Sequence, residues 1–375
     1  MGQGIQLSLM IGPGVPLPVS GEVIDALESV RVTAASEGPS AFQLSFRLSK
    51  RSPLHTLFLL AGGSPIPLVR VILAATVFGD TVVLMDGVMT SHEVGGGPGA
   101  GGATLTITGE DLSRVMDYID FSGLPYPATP IEGRVLLILA KYAALGIVPL
   151  VVPTVFLDVP NPLDYIPRQQ GKDLPYLRML AEQVGYVFYV DPGPAPGVST
   201  AYFGPEIKVG APQPALNIDM DAETNVESLT FSYDSEKAAL PVILIYNAVT
   251  KAPIPVPVPD VTPLNPPLGA VPPVPKNIQP LCDTAKYGAV RGALLGLAKA
   301  ARRGEVVRAS GSLDVLRYGR VLRARQLVGV RGAGAAYDGL YYVRSVTHNI
   351  ERGRYTQDFE LSRNGLVSTL PKVPV

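Results

Sequence analysis

The sequence contains few of the residues from which metal and disulfide sites are built. Its one cysteine, Cys282, excludes an internal disulfide framework and a zinc site made of several thiolates. The three histidines, His55, His92 and His348, lie far apart, with no ligand spacing between any two of them. We therefore expect no metal site, and we interpret Cys282, which follows a proline-rich segment, as incidental rather than nucleophilic.

Charged residues are also scarce. Only 17% of the 375 residues are Asp, Glu, Lys or Arg, below the usual quarter, whereas 47% are apolar. A soluble monomer with so few charges would have difficulty covering its surface, which favours a protein hidden in an assembly or lying near a membrane. The formal net charge of −1 provides no global attraction for nucleic acid.

The sequence has none of the common nucleotide-binding or hydrolase motifs. It contains no GxxxxGK[ST], GxSxG or HExxH pattern. Gly332 and Gly334 begin a GxG pattern, but Tyr337 occupies the third glycine position and no helix follows to hold a phosphate. We therefore interpret this stretch as a turn. The sequence predicts no catalytic residue and no cofactor.

Acidic residues occur in groups that have simple structural explanations. The pairs Asp117 with Asp120 and Glu110 with Asp111 have no nucleophile or base beside them and are typical of a solvated helix surface. Another run resembles the start of a calcium loop and contains Asn217, Asp219, Asp221 and Glu223. Its sixth position is Ala222 instead of Gly, and its twelfth is Ser228 instead of Glu. We interpret the alternation as a strand.

One long apolar stretch, Val135–Leu157, is a candidate membrane span. Lys141 interrupts it, and Pro149 and Pro153 would break a helix in its second half. The sequence therefore favours a buried helix over about Ile131–Leu145, followed by a strand. We expect no stable membrane span.

Most of the chain has the pattern of short strands. The 39 glycines and 37 prolines separate short apolar runs, which is typical of many strands and few long helices. Strand-like runs occur at Val30–Thr33, Phe42–Leu48, Val69–Val77, Thr81–Met89, Ala103–Thr108, Ser228–Tyr233 and Val242–Tyr246, and a hairpin is predicted at Leu340–Ile350 and Tyr355–Leu361. Their close spacing near the N-terminus predicts a barrel or sandwich.

Helices are predicted from about Gly109, from about Ile131, over Lys172–Gly185 and over Tyr287–Arg303. The third has the clearest pattern, because Asp173 is placed as an N-cap and Gly185 as a C-terminal cap. Its apolar stripe contains Leu177, Leu180, Ala181 and Val184. The proline-rich composition of Pro253–Pro275 predicts an extended polyproline II conformation, either as a solvated linker or as a strap across another surface.

A basic cluster precedes the C-terminal strands. Its two acids are Glu305 and Asp314, and its eight arginines are Arg302, Arg303, Arg308, Arg317, Arg320, Arg323, Arg325 and Arg331. Such a cluster is the best sequence argument for a polyanionic partner. Because Tyr318 is the one aromatic residue among the arginines, a solvated face or a salt-bridged subunit interface is favoured over nucleic acid.

Three stretches together resemble the hub family of contractile tails, which includes phage late-control-D proteins and the N-terminal part of VgrG spikes. Thr104–Leu112 is similar to the strand-to-helix step that closes the first barrel. Lys172–Tyr186 is similar to the family pattern DLxxLxxLAExxGY. Asp338–His348 and Tyr355–Leu361 are similar to the closing strands, so that His348 is a strand residue rather than a catalyst.

The resemblance implies a structural baseplate hub that adapts a six-fold tail tube to a three-fold spike. Such hubs are homotrimers in which each subunit supplies two similar β-barrel domains. The implied partners are a tail tube protein, a separate spike protein, because this sequence ends at Val375 without a spike domain, and baseplate wedge proteins. Nucleic acid would pass only in transit through the lumen. The implied location is the baseplate of a virion tail or injection particle, assembled in the host cytoplasm.

The predicted fold is mainly β with a few helices (β + α), with two β-barrel-like tube domains and a mixed helical/β middle region in a trimeric ring. Residues 1–125 are expected to form the first barrel-like domain and residues 126–245 the middle region. Residues 246–280 would form the proline-rich linker or strap, and residues 281–375 a helix with the second barrel-like region. Two alternatives stay open: a tail-tip cell-wall hydrolase, and a nucleic-acid-binding β protein that uses the Arg302–Arg331 cluster.

Overall fold

The computed structural model describes residues 4–48, 54, 68–96, 103–154, 159–247, 252–257, 265–275, 277–281, 296 and 305–370. Strands predominate within these ranges, and helices are few and short. The fold is therefore mainly β with a few helices, as the sequence predicts. No helix in the described ranges combines the length and the apolar character that are needed to cross a bilayer.

The strands up to residue 204 are β1 (Gln6–Pro13), β2 (Leu17–Pro18), β3 (Leu27–Ala35), β4 (Ala41–Leu48), β5 (Val69–Val77), β6 (Asp80–Gly95), β7 (Ala103–Asp111), β8 (Ile147–Val151), β9 (Val187–Pro192) and β10 (Ser199–Gly204). The later strands are β11 (Gln213–Asn217), β12 (Ser228–Tyr233), β13 (Ala239–Asn247), β14 (Ala252–Pro257), β15 (Gly269–Val271), β16 (Asn277–Leu281), β17 (Val307–Asp314), β18 (Leu327–Arg331), β19 (Gly339–Glu351), β20 (Arg354–Arg363) and β21 (Leu366–Ser368). The α-helices are α1 (Gly21–Ala26), α2 (Ile131–Ala140), α3 (Asp173–Gln183) and α4 (Val315–Tyr318).

The largest sheet joins the two ends of the chain. Its thirteen strands follow the order β12-β17-β20-β19-β3-β4-β7-β6-β5-β1-β2, while β18 pairs with β19 and β11 pairs with β18. The junction is the antiparallel pair of β3 and β19, in which Val30 lies opposite Ile350. The sheets are thus not closed barrels, because this pairing links the N-terminal and C-terminal strands into one continuous sheet.

Buried and exposed side chains alternate along strands of the main sheet, so that one face packs on the core. In β4, Phe42, Leu44 and Phe46 are buried, whereas Gln43 and Arg47 face solvent, as the period of two in a half-buried strand requires. In β5 almost every residue is buried, because both faces of this strand are covered by other parts of the protein. The C-terminal hairpin of β19 and β20 is also present as predicted.

The middle region has its own apolar core and packs against the main sheet. Helices α2 and α3 bury Val135, Ile138, Leu177 and Leu180 against the sheet of β8, β10 and β9. The predicted helix at 172–185 is therefore confirmed. Its N-cap is Lys172, however, and Asp173 is instead the first helical residue, with a fully buried side chain.

The helix predicted from about Gly109 requires correction. Strand β7 continues to Asp111, so the helix expected from about Gly109 is a 3₁₀ turn over Leu112–Asp117. The Asp111 carboxylate accepts a hydrogen bond from the Ser113 N–H at 2.9 Å and stabilises that turn.

The proline-rich segment is partly a strand and not only a free polyproline II linker. Strand β14 pairs with β13 at the edge of a three-stranded sheet. Its prolines, Pro253, Pro255 and Pro257, alternate, so their missing N–H groups face one side, which an edge strand tolerates. The helix predicted over Tyr287–Arg303, apart from position 296, lies outside the described residues, as do Cys282 and His55.

Candidate assembly surfaces

Helix α2 and strand β8 each leave apolar side chains uncovered. Helix α2 buries Val135 and Ile138, but Leu136 and Leu137 on its outer side are 45% and 56% exposed. In β8, Val148 and Leu150 are about half exposed. Monomeric soluble proteins seldom expose large contiguous apolar patches, and those that exist are often binding surfaces. These two elements are therefore candidate contact surfaces for another protein.

Strand β8 lies at the free edge of its sheet, but its backbone is a poor template for another strand. The Val152 N–H donates to the Phe203 carbonyl at 2.8 Å, so the N–H groups of alternate residues point toward β10. Pro149 and Pro153 occupy positions whose N–H would point outward. Because proline has no N–H, this edge lacks two of its outward donors, which weakens it as a template, and a partner would contact its side chains as well.

The arginines of the basic cluster have different environments. Arg302 and Arg303 lie outside the described residues. Arg325 has partners within the chain. Its guanidinium pairs with Asp191 at 2.6 Å and lies over the Tyr189 ring at 4.0 Å from the centroid. Burial raises the pKa of Tyr189. This arginine therefore holds β9 against the segment that precedes β18.

Arg320 and Arg323 instead line an open groove of about 410 Å³. Asp80 and Thr81 form one wall, and residues 211–214 form another. Both guanidinium groups are free of hydrogen bonds and ion pairs to any described residue. We name this cavity the arginine groove. It offers two exposed, permanently charged donors to an anionic group.

The acidic run over residues 217–223 forms a loop, which corrects its interpretation as a strand. Strand β11 ends at Asn217, and Asp221–Glu223 forms a 3₁₀ turn. The Asn217 amide donates to the Glu223 carbonyl at 3.1 Å and closes the loop. No group of three or more metal-ligating side chains occurs in the described part of the chain. The side chains of Asp219, Asp221 and Glu223 are exposed.

The other candidate acids have separate structural partners. Asp111 is buried and accepts the Ser40 N–H at 2.6 Å, and desolvation raises its pKa. Glu110 and Asp117 both face Arg114, at 3.8 Å and 3.3 Å. The Asp120 carboxylate accepts the Ser122 N–H at 2.7 Å, and hydrogen bonds from the Ser122 side chain and backbone lower its pKa. The structure does not assemble these acids into a shared pair.

Gly332 and Gly334 form a turn between β18 and β19, as predicted. Both have positive φ angles, 85° and 87°. A Cβ at position 332 would lie 1.9 Å from the Ile218 carbonyl oxygen, so this position requires glycine for space as well as for backbone conformation.

His348 is a buried strand residue in a hydrogen-bonded cluster. Its Nδ1 lies 2.7 Å from the Tyr355 hydroxyl and 3.2 Å from Nε2 of Gln357. Burial lowers the pKa of His348 to about 4 and raises that of Tyr355. The cluster fixes the pairing of β19 with β20, and the His348 ring stays neutral at physiological pH.

We expect the free energy of unfolding to fall by about 3 kcal/mol as the pH decreases from about 6.5 to about 4. In this range the unfolded chain binds a proton at His348, whereas the folded protein does not. Urea titrations at several pH values measure how steeply the free energy of unfolding changes with pH, which is the slope compared below. H348Q should reduce the slope, and H92Q, at an exposed position, should leave it unchanged. An equal slope in wild type and H348Q would contradict the assignment.

The comparisons with known proteins concern the fold. No protein-family model and no curated protein matches this chain. In structure it is similar to the tail protein from Neisseria meningitidis MC58, with a TM-score of 0.64 and 12% identity over 97% of this chain and 98% of that one. The 43 kDa tail protein of prophage MuSo2 from Shewanella oneidensis gives a TM-score of 0.62 and 13% identity over 96% and 99%.

A third similar structure is the Francisella PdpA-VgrG complex in its lidded form. It gives a TM-score of 0.57 and 10% identity, and the match covers 100% of this chain and 55% of that one. These levels of identity bear on the fold alone. The likeness that the sequence motifs indicated is therefore confirmed in three dimensions: the chain has the fold of these tail proteins and of the matched half of a chain in the VgrG complex.

Proposed function

We propose that this chain is a structural baseplate hub of a phage tail or a contractile injection system. In this role it forms a homotrimer that adapts the six-fold tail tube to a three-fold spike, and it performs no chemistry. The observation that carries the proposal is the fold shared with two phage tail proteins over nearly the whole of each chain. Residues 1–125 and 281–375 would supply the strands of the tube-like ring.

The uncovered apolar side chains support an assembled state. A ring subunit is in contact with neighbours on both flanks, with the tube above and with the spike below. Obligate interfaces of this kind often exceed about 2,000 Å² and are more apolar than other protein surfaces. Leu136 and Leu137 on α2 and Val148 and Leu150 on β8 would then be covered. The low charge content has the same explanation.

The proposal also defines the partners and the location. The tube protein, a separate spike protein and the baseplate wedge proteins would surround the hub in the baseplate of a virion or an injection particle. Assembly would take place in the host cytoplasm.

The first test is the number of copies in the purified oligomer. Native mass spectrometry should show three copies of the wild-type chain. Changing both Leu136 and Leu137 to glutamate should weaken association at least about tenfold, because two charges would be desolvated in the interface. Their exposure in the single chain means that the fold should be retained, which circular dichroism checks.

A control is Val274→Glu, which introduces a glutamate at an 80% exposed apolar position outside the middle region. It should leave association unchanged, since singly exposed apolar residues are common on protein surfaces. A wild-type chain that stays monomeric at micromolar concentration, even with its tube and spike proteins present, would contradict the hub proposal.

A further inference from the structure

We propose that the arginine groove receives the acidic loop of Asp219, Asp221 and Glu223 from a second copy of this chain. The inference rests on the proposed ring and identifies one of its interfaces. It assigns a partner to Arg320 and Arg323, neither of which makes a hydrogen bond or ion pair to another residue in the described part of the chain.

Two glutamine side chains form hydrogen bonds to the backbone of the segment that carries the arginines of the groove. Gln357 accepts the Leu322 N–H and donates to the Leu322 carbonyl, both at 2.9 Å. Gln213 makes the same pair of hydrogen bonds to Arg323, at 2.8 Å and 2.9 Å. The chain between α4 and β18 is irregular, yet two consecutive residues have both of their backbone groups fixed by side chains from β20 and β11. The Arg323 side chain therefore projects from a preorganised backbone.

The acidic loop is preorganised in a similar way. The Asn225 side chain accepts the Asn217 N–H at 2.8 Å and donates to the Ala215 carbonyl at 2.9 Å. The Thr224 hydroxyl accepts the Met220 N–H at 2.9 Å. These bonds occupy the amide and hydroxyl side chains of the loop, while the carboxylates of Asp219, Asp221 and Glu223 make no hydrogen bond or ion pair to any residue in the described ranges.

The two features lie at opposite ends of one parallel strand pair. At one end Gln213 lies opposite Val328, and at the other Asn217 lies opposite Arg331. Five residues of strand separate the ends by roughly 13 Å. A loop at one end cannot turn back into a groove at the other without breaking this pair. Head-to-tail contact between copies requires two different, complementary patches, and this arrangement provides them.

The chemistry of the groove favours a protein carboxylate over a nucleic-acid phosphate. The Tyr318 ring is buried, and its hydroxyl donates to the Pro214 carbonyl at 2.6 Å, so it is not available for stacking on a base. Arginine binds carboxylates in a bidentate geometry, as it does phosphates, so the two guanidinium groups suit the acidic loop.

The test exchanges the charges between the two patches. One variant carries R320E and R323E. The other carries D219N, D221N and E223K, since asparagine tolerates the left-handed backbone at 219 and 221. Each variant should weaken association at least about tenfold in 0.15 M salt, measured by analytical ultracentrifugation. A chain that carries both sets of changes should associate at least about threefold more strongly than either variant alone. Arg308→Glu, at an exposed position on β17, is the control and should leave association unchanged.

The outcomes separate this inference from the hub proposal. A wild-type ring that both charge variants leave intact would overturn the inference and retain the hub. Failure of the wild-type chain to assemble under any condition would contradict both. DNA binding that is lost in R320E with R323E, with association unchanged, would make the groove a nucleic-acid site and would also overturn the inference. Recovery in the combined variant supports it.

Discussion

Changing Asp86 to alanine is expected to lower the free energy of unfolding by about 3–5 kcal/mol, because it leaves a buried arginine without its counter-charge. Asp86 in β6 and Arg70 in β5 form a bidentate ion pair, with both N–O distances at 2.7 Å. Their side chains are 0% and 5% exposed. Among the described residues, the other hydrogen-bond acceptors of Arg70 are the carbonyls of Gly14 and Gly197, at 3.5 Å and 3.2 Å, which do not replace a carboxylate.

The same pair links the main sheet to the middle region. The Ser199 hydroxyl in β10 donates to Asp86 at 3.1 Å, and Gly197 lies in the turn that precedes this strand. Loss of the carboxylate should therefore loosen β10 as well as β5 and β6. Hydrogen exchange should show faster exchange in β8–β10 of the variant than of the wild type.

Two further variants test whether the lost stability comes from breaking the ion pair or from any substitution in these strands. Asp80→Ala removes an exposed carboxylate from the start of the same strand and should change stability by less than about 0.5 kcal/mol. Combining Arg70→Met with Asp86→Leu should recover most of the loss, because an apolar pair leaves no charge unsatisfied. If Asp86→Ala unfolds at the wild-type urea concentration, the pair contributes nothing and this account is wrong.

Local patterns in the sequence predict local structure well in this chain. The alternation in Phe42–Leu48 identifies β4 to within one residue, and the apolar stripe with Gly185 identifies α3. Both signals arise from neighbours along the chain, so no knowledge of the tertiary fold is needed. The same period-two alternation misleads at 217–223, because a loop closed by side-chain hydrogen bonds can place acidic residues at every second position.

Long-range pairing could not be predicted in this way. The Thr33 and Thr347 hydroxyls lie 3.1 Å apart although 314 residues separate them, and nothing in either strand specifies the other as its partner. The arginine groove depends on the same kind of contact, since Gln213 and Gln357 reach Arg323 and Leu322 from distant strands. The sequence indicated a basic cluster, but it could not separate Arg325, which pairs with Asp191, from Arg320 and Arg323, which pair with none of the residues that the structure describes.

Asp173 gives the second large expected effect, about 3–4 kcal/mol of lost stability on change to alanine. Its buried carboxylate accepts hydrogen bonds from Gln169 at 2.6 Å and from the Tyr142 hydroxyl at 2.6 Å. It also pairs with Lys141, whose ammonium lies 2.6 Å from one oxygen and 3.8 Å from the Phe121 ring centroid. One carboxylate thus joins the end of α2 to the start of α3.

The size of the effect follows from how many donors lose their acceptor. Tyr142→Phe removes one donor and retains the ion pair, so it should cost about 1 kcal/mol. Burial, followed by the contact with Asp173, raises the pKa of the Tyr142 phenol, which keeps this group a donor throughout the experiment. Glu182→Ala, at an exposed position near the end of the same helix, should be neutral within about 0.5 kcal/mol.

Thermal and urea unfolding of the three variants, followed by circular dichroism, give the ranking. The expected order of loss is Asp173→Ala, then Tyr142→Phe, then Glu182→Ala. Because Lys141 is 31% exposed, its ammonium can turn toward water in Asp173→Ala. Gln169 cannot do so, because its side chain is also held by the Tyr126 hydroxyl, which donates to it at 2.7 Å. A loss in Asp173→Ala no greater than in Tyr142→Phe would show that the buried carboxylate is not what holds α2 and α3 together.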